Sequence, residues 1–68
     1  MTISAKLKQT LAALKGSQGL LQIYEKQVEN VEIKSVLKEA VETTGDIIFD
    51  LENRIKNIEL QEPQYKGY

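Results

Sequence analysis

The stretch LQIYEKQVENVEIKSVLKEA, residues 21–40, decides the fold of this chain. Its apolar residues pair by reflection about a point between Asn30 and Val31, and the pairs are Leu21 with Ala40, Tyr24 with Leu37, and Val28 with Ile33. Facing positions in an antiparallel pair of helices have numbers that add to a nearly constant value, and both must be apolar to bury each other. The reflection therefore predicts the turn of an all-α fold, an antiparallel two-helix hairpin.

The reflection continues outward from this turn, with the pairs Leu14 and Ile47, Leu11 and Leu51, and Ile3 and Ile58. Spacings of three, four and seven along each half are those of one face of a helix. They predict helix one over residues 3–28, a turn over 29–31 and helix two over 32–61, which together form one hairpin domain, 1–62. Asn30 is expected either to close helix one or to cap helix two.

Residues 63–68 are predicted to form an extended tail, because Pro63 cannot continue a helix. The tail carries Pro63, Tyr65 and Tyr68. Tyrosine is favoured in interfaces because it is amphipathic and loses little entropy on binding. We expect either a partner-binding arm or an ordinary frayed terminus whose tyrosines cover the ends of the helices.

Three glycines interrupt sequence that otherwise favours helix, namely Gly16, Gly19 and Gly45. Each costs about 1 kcal/mol relative to alanine in a helix. The reflection puts Gly16 and Gly45 at the same level, which favours a close crossing of the two helices. The alternatives are tolerated weak positions, or a break of helix one over residues 16–19.

The composition excludes several classes of site. The 68 residues include no cysteine and no histidine, so we expect no disulfide, no thiolate- or imidazole-bound metal and no cofactor. A net charge of −1 and a pI of about 5.3 give no electrostatic attraction for nucleic acid. The sequence shows no signal-peptide core and no apolar run long enough to span a bilayer. A cytoplasmic protein is therefore expected.

The chain has more apolar residues than one hairpin seam can bury. Six of them are predicted to lie beside or away from that seam, and they are Leu20, Ile23, Val36, Val41, Ile48 and Phe49. In a monomer they would form an apolar patch larger than monomers usually expose. We expect self-association, with a dimer favoured, in which two hairpins form a four-helix bundle. A helical protein of another kind, or a membrane surface, would cover the same residues.

Four carboxylates follow one ridge of helix two, namely Glu39, Glu42, Asp46 and Asp50. Oxygen ligands can hold calcium or magnesium, but no calcium-binding loop accompanies these residues. We interpret the ridge as a solvated face, with Lys15 close in level to Asp46 for an exposed salt bridge. The serines, threonines and lysines have no activating base at a suitable spacing. We therefore expect no catalytic residue and no enzymatic activity.

Two segments resemble a known family. The segment ISAKLKQTLA, residues 3–12, fits the pattern Val/Ile-x-x-x-Leu/Val-Lys-Gln-Thr-Leu-Ala, and EPQYKG occupies residues 62–67. Together they look like a family of small, functionally uncharacterised helical proteins of spore-forming Firmicutes, and the resemblance covers nearly the whole chain. It implies a cytoplasmic or spore-associated bacterial protein and brings no catalytic residues with it.

The function expected from these features is that of a non-enzymatic structural or adaptor protein with a sporulation-related role. It would act through self-association and through contacts with an unidentified protein partner. The alternative is an accessory of a membrane surface or of a membrane protein, using the spare apolar helix face. Mixed charges on the polar faces weigh against lipid binding, because interfacial helices are usually rich in Lys and Arg.

Overall fold

The predicted helical hairpin is confirmed. The computed structural model describes residues 3–66, and side chains over 3–61. Helix α1 spans Ile3–Gln27 and helix α2 spans Val31–Lys66, and the two pack against each other. They run antiparallel, since residues late in α2 contact residues early in α1. Helix α1 continues without a break through residues 16–19, so the alternative of a divided first helix is excluded.

The loop over residues 28–30 is short because Asn30 caps α2. The backbone N–H of Ile33 donates to Asn30 Oδ1 at 2.9 Å, and the N–H of Lys34 donates to the Asn30 carbonyl at 2.9 Å. This is N-cap geometry, in which a side-chain oxygen accepts one of the otherwise unpaired N–H groups of the first turn. Glu32 follows in that turn, where its negative charge suits the helix dipole. Of the two roles that the sequence allowed for Asn30, the structure shows the second.

The carboxyl end of α2 differs from the prediction. The helical backbone passes through Pro63 and ends at Lys66, whereas the sequence predicted an extended tail from residue 63. A proline inside a helix removes one backbone hydrogen bond, here the one that would reach the carbonyl of Glu59. The remaining turns keep their own hydrogen bonds, so the helix can continue. The side chains of Pro63 and Tyr65, and all of Tyr68, lie outside the described residues.

The hairpin has a narrow seam in place of a core. Within residues 3–61, the buried hydrophobic side chains are Ile48, 7% exposed, and Ile55, 4% exposed, and Ser4 is buried near the start of α1. The other seam residues are half-buried, and they include Leu7, Leu11, Leu14, Leu21, Leu37, Val41 and Leu51. Thr44 lies in the same seam, and its hydroxyl donates to the Ala40 carbonyl at 2.7 Å. That bond satisfies the Thr44 hydroxyl within its own helix.

Two packed helices also make an elongated molecule. Its principal extents are 55 × 16 × 10 Å and its radius of gyration is 16.1 Å. A compact domain of this length has a radius of gyration of about 11 Å. Every residue whose side chain the structure describes is therefore close to the surface, and each helix buries only the side that meets its neighbour.

The helices approach closely at Gly45, but the residue opposite it is Gln18 and not Gly16, which the reflection put at the same level. The side chain opposite Gly45 is Gln18, whose Nε2 donates to the Val41 carbonyl at 3.2 Å. A Cβ at position 45 would lie 3.1 Å from that Nε2. Gly16 has open space around its Cα, with nothing within 4 Å of an added Cβ. The missing side chain at 45 thus makes room for Gln18, and Gly16 plays no part in the crossing.

Candidate interaction surface

Two salt bridges mark one side of the hairpin. Lys8 pairs with Glu59, and Lys15 Nζ lies 3.0 Å from Glu52 Oε2. The pairs are seven residues apart on both helices, so they lie two turns apart in a constant register. We call the surface formed by these four residues the ionic side. Its pairs are exposed, and each contributes about 0–1 kcal/mol to stability.

Lys15 was expected near Asp46, and that expectation is wrong because Lys15 pairs with Glu52. Side chains on a helix lean toward the amino terminus of their own helix. In an antiparallel pair these directions are opposite, so a long lysine meets a glutamate that lies further along α2 than the reflection predicts. Asp46 is exposed on the outer face of α2.

The opposite side of the hairpin follows from helix geometry. Successive residues are rotated by about 100°. Lys8 and Lys15 each follow a seam leucine by one residue, and Glu52 comes four residues after buried Ile48. Residues that precede seam positions by one or four therefore lie on the other side. This second surface, which we call the apolar side, consists of Leu20, Tyr24, Ile33, Val36 and Ile47.

All five residues of the apolar side are at least half exposed in the hairpin. Near the loop the two helices leave an open groove between them, and its lining is Tyr24, Gln27, Val28, Ile33 and Leu37. The groove is mostly apolar, and it belongs to the end of the hairpin where the helices are joined. A protein side chain or a second helix would find a hydrophobic surface there.

The charged residues of this side lie far from the loop. Lys6, Asp50 and Arg54 each precede a seam residue by one and so lie beyond the apolar side, toward the open end of the hairpin. Arg54 Nε donates to Asp50 Oδ2 at 2.9 Å, one turn away on the same helix. On this side of the hairpin the charged residues therefore lie toward the open end, and the five residues of the apolar side are uncharged.

The six residues predicted as an oligomer interface do not share one surface. Leu20 and Val36 lie on the apolar side, but Phe49 follows Ile48 and lies on the ionic side. Ile23 is on the outer face of α1, and Val41 is half-buried. The placement of Ile48 outside the seam is wrong, because α1 covers it to 7% exposure. The seam keeps most of the positions that the reflection assigned to it, but at this level of α2 Ile48 faces α1 and Ile47 faces outward.

Three residues of the apolar side, Tyr24, Ile33 and Ile47, were assigned to the internal seam by the reflection. They are half exposed in the structure. A charge repeat in the sequence could have corrected this assignment to the seam. It consists of two lysines seven residues apart on helix one, Lys8 and Lys15, and two glutamates seven residues apart on helix two, Glu52 and Glu59. Facing charge pairs belong at the edge of a seam, and they would have fixed its rotation.

The carboxylate ridge of α2 is exposed at all four positions, namely Glu39, Glu42, Asp46 and Asp50. Within the part of the chain that the structure describes, no three acidic side chains converge in a way that could hold a metal ion. Also within that part, no helix is long and apolar enough to cross a membrane.

Comparison with known proteins gives one family and no closer relative. A family model described as a protein of unknown function, DUF1657, matches residues 7–55. No significant match is found among curated proteins or among solved structures. The matched range contains the loop and the whole apolar side, whereas the segment 62–67 that resembled a family motif lies beyond it. The match covers well over half of the chain, which therefore belongs to the DUF1657 family of proteins of unknown function.

Proposed function

We propose that this protein is a non-enzymatic structural or adaptor module that acts through self-association and through contacts with other proteins. The observation that carries the proposal is the apolar side, five large hydrophobic residues exposed on a hairpin that buries two others, Ile48 and Ile55, among its described side chains. Exposed apolar surface of this kind is typical of protein interaction sites.

The amount of exposed surface supports the same proposal. The chain exposes 5396 Å², whereas a compact monomer of its 7.7 kDa mass exposes about 4,300 Å². The excess of about 1,000 Å² is close to the roughly 800 Å² per partner of a standard protein interface. Small chains without disulfides or metals usually gain stability by oligomerisation.

Thermal unfolding at several protein concentrations tests the proposal. If folding is coupled to self-association, each tenfold increase in concentration stabilises the folded state by about 1.4 kcal/mol, and the melting temperature rises by several degrees. Circular dichroism follows this transition directly in an all-helical protein. A melting temperature independent of concentration, with full helicity, would contradict self-association.

The cellular setting is also part of the proposal. The resemblance of residues 3–12 and 62–67 to a family from spore-forming bacteria favours a cytoplasmic or spore-associated protein with a role in sporulation. Fluorescent tagging in sporulating cells tests this, because a spore-associated protein accumulates in the forespore or mature spore. Uniform fluorescence that does not change during sporulation would contradict that role.

The alternative function is that of an accessory on a membrane surface or on a membrane protein. One observation favours it: the charges nearest the apolar side include Lys6 and Arg54, which suit anionic headgroups. Interfacial helices usually carry more basic residues than two, and Arg54 already pairs with Asp50. Co-sedimentation with anionic vesicles distinguishes the candidates, because the adaptor module stays in the supernatant and the membrane accessory pellets.

A further inference from the structure

We infer that the apolar side is covered by the same side of a second copy of this chain, with both 28–30 loops at one end of the resulting four-helix bundle. The inference rests on the proposed function and specifies its surface and its arrangement. The occupant is a second hairpin that meets the first across a two-fold axis parallel to the helices.

Both helices carry a charge-free stripe on the apolar side. On α1 it consists of Thr10, Ala13, Ser17, Leu20 and Tyr24, and on α2 of Ile33, Val36, Ala40, Thr43 and Ile47. The spacings alternate between three and four, as a and d positions do in coiled coils. Each stripe residue except Ile33 immediately precedes a buried or half-buried residue. Each helix therefore has a second face with the spacing of a coiled-coil core, and these two faces lie on the same side of the hairpin.

A second copy fits this side better than a charged partner does. The stripes offer no charge to a partner, and interface cores are depleted in charge. A partner with carboxylates or ammonium groups would lose their hydration without gaining an opposite charge. The salt bridges of the ionic side are already made within one chain, so those four charges need no partner. Closed two-fold dimers, in which the same patch meets itself, are the commonest oligomers.

The charges beyond the stripes set the orientation. Two hairpins packed face to face have their loops at the same end or at opposite ends. With loops at opposite ends, Ile33 and Val36 lie over the end of the partner that holds Lys6, Asp50 and Arg54. With loops at the same end, apolar residues meet apolar residues, and the charges stay at the open end, where water reaches them. Burying a charge against apolar side chains is unfavourable, so we infer the shared end.

Two matched pairs of variants test the surface. Val36→Glu places a charge on the apolar side at a residue 65% exposed, and Phe49→Glu places it on the ionic side at a residue 67% exposed. Tyr24→Arg and Ile23→Arg form a second pair on α1, at residues 53% and 49% exposed. The similar exposure within each pair makes the direct effects on the isolated hairpin comparable. Light scattering after size exclusion gives the mass, and circular dichroism gives the helicity of each variant.

Val36→Glu and Tyr24→Arg are expected to weaken the dimer by about 100-fold or more, because each charge enters the interface twice. Phe49→Glu and Ile23→Arg are expected to leave it unchanged. Loss of helicity on dilution in Val36→Glu and Tyr24→Arg, with helicity retained in both controls, would also support the apolar side as the dimer interface. A dimer that survives Val36→Glu and Tyr24→Arg overturns the assigned surface but leaves self-association standing. A wild-type protein that is monomeric overturns the proposed function itself, and the apolar side then has another occupant.

The orientation has its own test, because the chain contains no cysteine. A spin label on Glu29→Cys, in the exposed loop, reports the distance between the two loops of a dimer. Loops at the same end give about 20 Å, two helix diameters, whereas loops at opposite ends give about 40 Å, because α1 alone is 25 residues long. The longer distance overturns the shared-end arrangement.

Discussion

Replacing Gly45 with alanine separates two opposing effects at the closest approach of the helices. Alanine in place of glycine in a helix stabilises by about 1 kcal/mol. At position 45, however, the new Cβ would lie 3.1 Å from Gln18 Nε2 and displace it. The bond from Nε2 to the Val41 carbonyl, 3.2 Å long, would then be lost. A partly buried hydrogen bond contributes about 0.5–1.5 kcal/mol, so the two effects nearly cancel.

Gly16→Ala is the matched control, because nothing lies within 4 Å of a Cβ at that position. We expect Gly16→Ala to stabilise by about 1 kcal/mol, or roughly 4–8 °C in melting temperature. Gly45→Ala should change stability by less than about 0.5 kcal/mol. In a Gln18→Ala background Gly45→Ala should regain the full effect of about 1 kcal/mol. Urea unfolding at one fixed protein concentration measures all of these differences. Equal stabilisation by Gly45→Ala and Gly16→Ala in the presence of Gln18 would refute the close approach.

Three further predictions concern the cap, the seam and the ionic side. Asn30→Ala should destabilise the protein by about 1 kcal/mol and Asn30→Asp by much less, since an aspartate oxygen can also accept the Ile33 N–H. Thermal unfolding measures both variants, and equal stability of the two would contradict the cap. Ile55→Ala should cost about 2–5 kcal/mol, because this side chain is 4% exposed, and a loss under about 1 kcal/mol in urea unfolding would contradict its burial. A double-mutant cycle on Lys15 and Glu52 should give a coupling below about 1 kcal/mol that decreases with added salt; a larger, salt-independent value would contradict an exposed pair.

The sequence predicted the hairpin because the reflection pairs residues by their position along the helix axes. Facing residues must have numbers that add to a nearly constant value, so this position is strongly constrained. The turn was placed within one residue of the loop at 28–30, since Asn30 is a favoured capping residue. Rotation about each helix axis is less constrained by the same pattern. Ile47 and Ile48 are both isoleucine, so hydrophobicity does not say which one faces α1. The structure places Ile48 inside, and this difference of one residue determines the surface that is left exposed.

The candidate site was less predictable than the fold for the same physical reason. Leu20 and Val36 were identified because they lie outside both possible seams. Tyr24 and Ile33 pair well in the reflection, and only the three-dimensional rotation of the helices shows that they are half exposed. The carboxyl end of α2 is a different case, because Pro63 is a strong local signal against helix, yet the helical backbone continues to Lys66.

Solution mass across a wide dilution range tests the central claim most directly. Light scattering on the wild-type chain distinguishes a 7.7 kDa monomer from a species of twice that mass. Self-association through the apolar side predicts the doubled mass, with dissociation to monomer only at the lowest concentrations. A fully helical monomer at every concentration would contradict it, because a hairpin with two buried hydrophobic residues among its described side chains would then be stable alone.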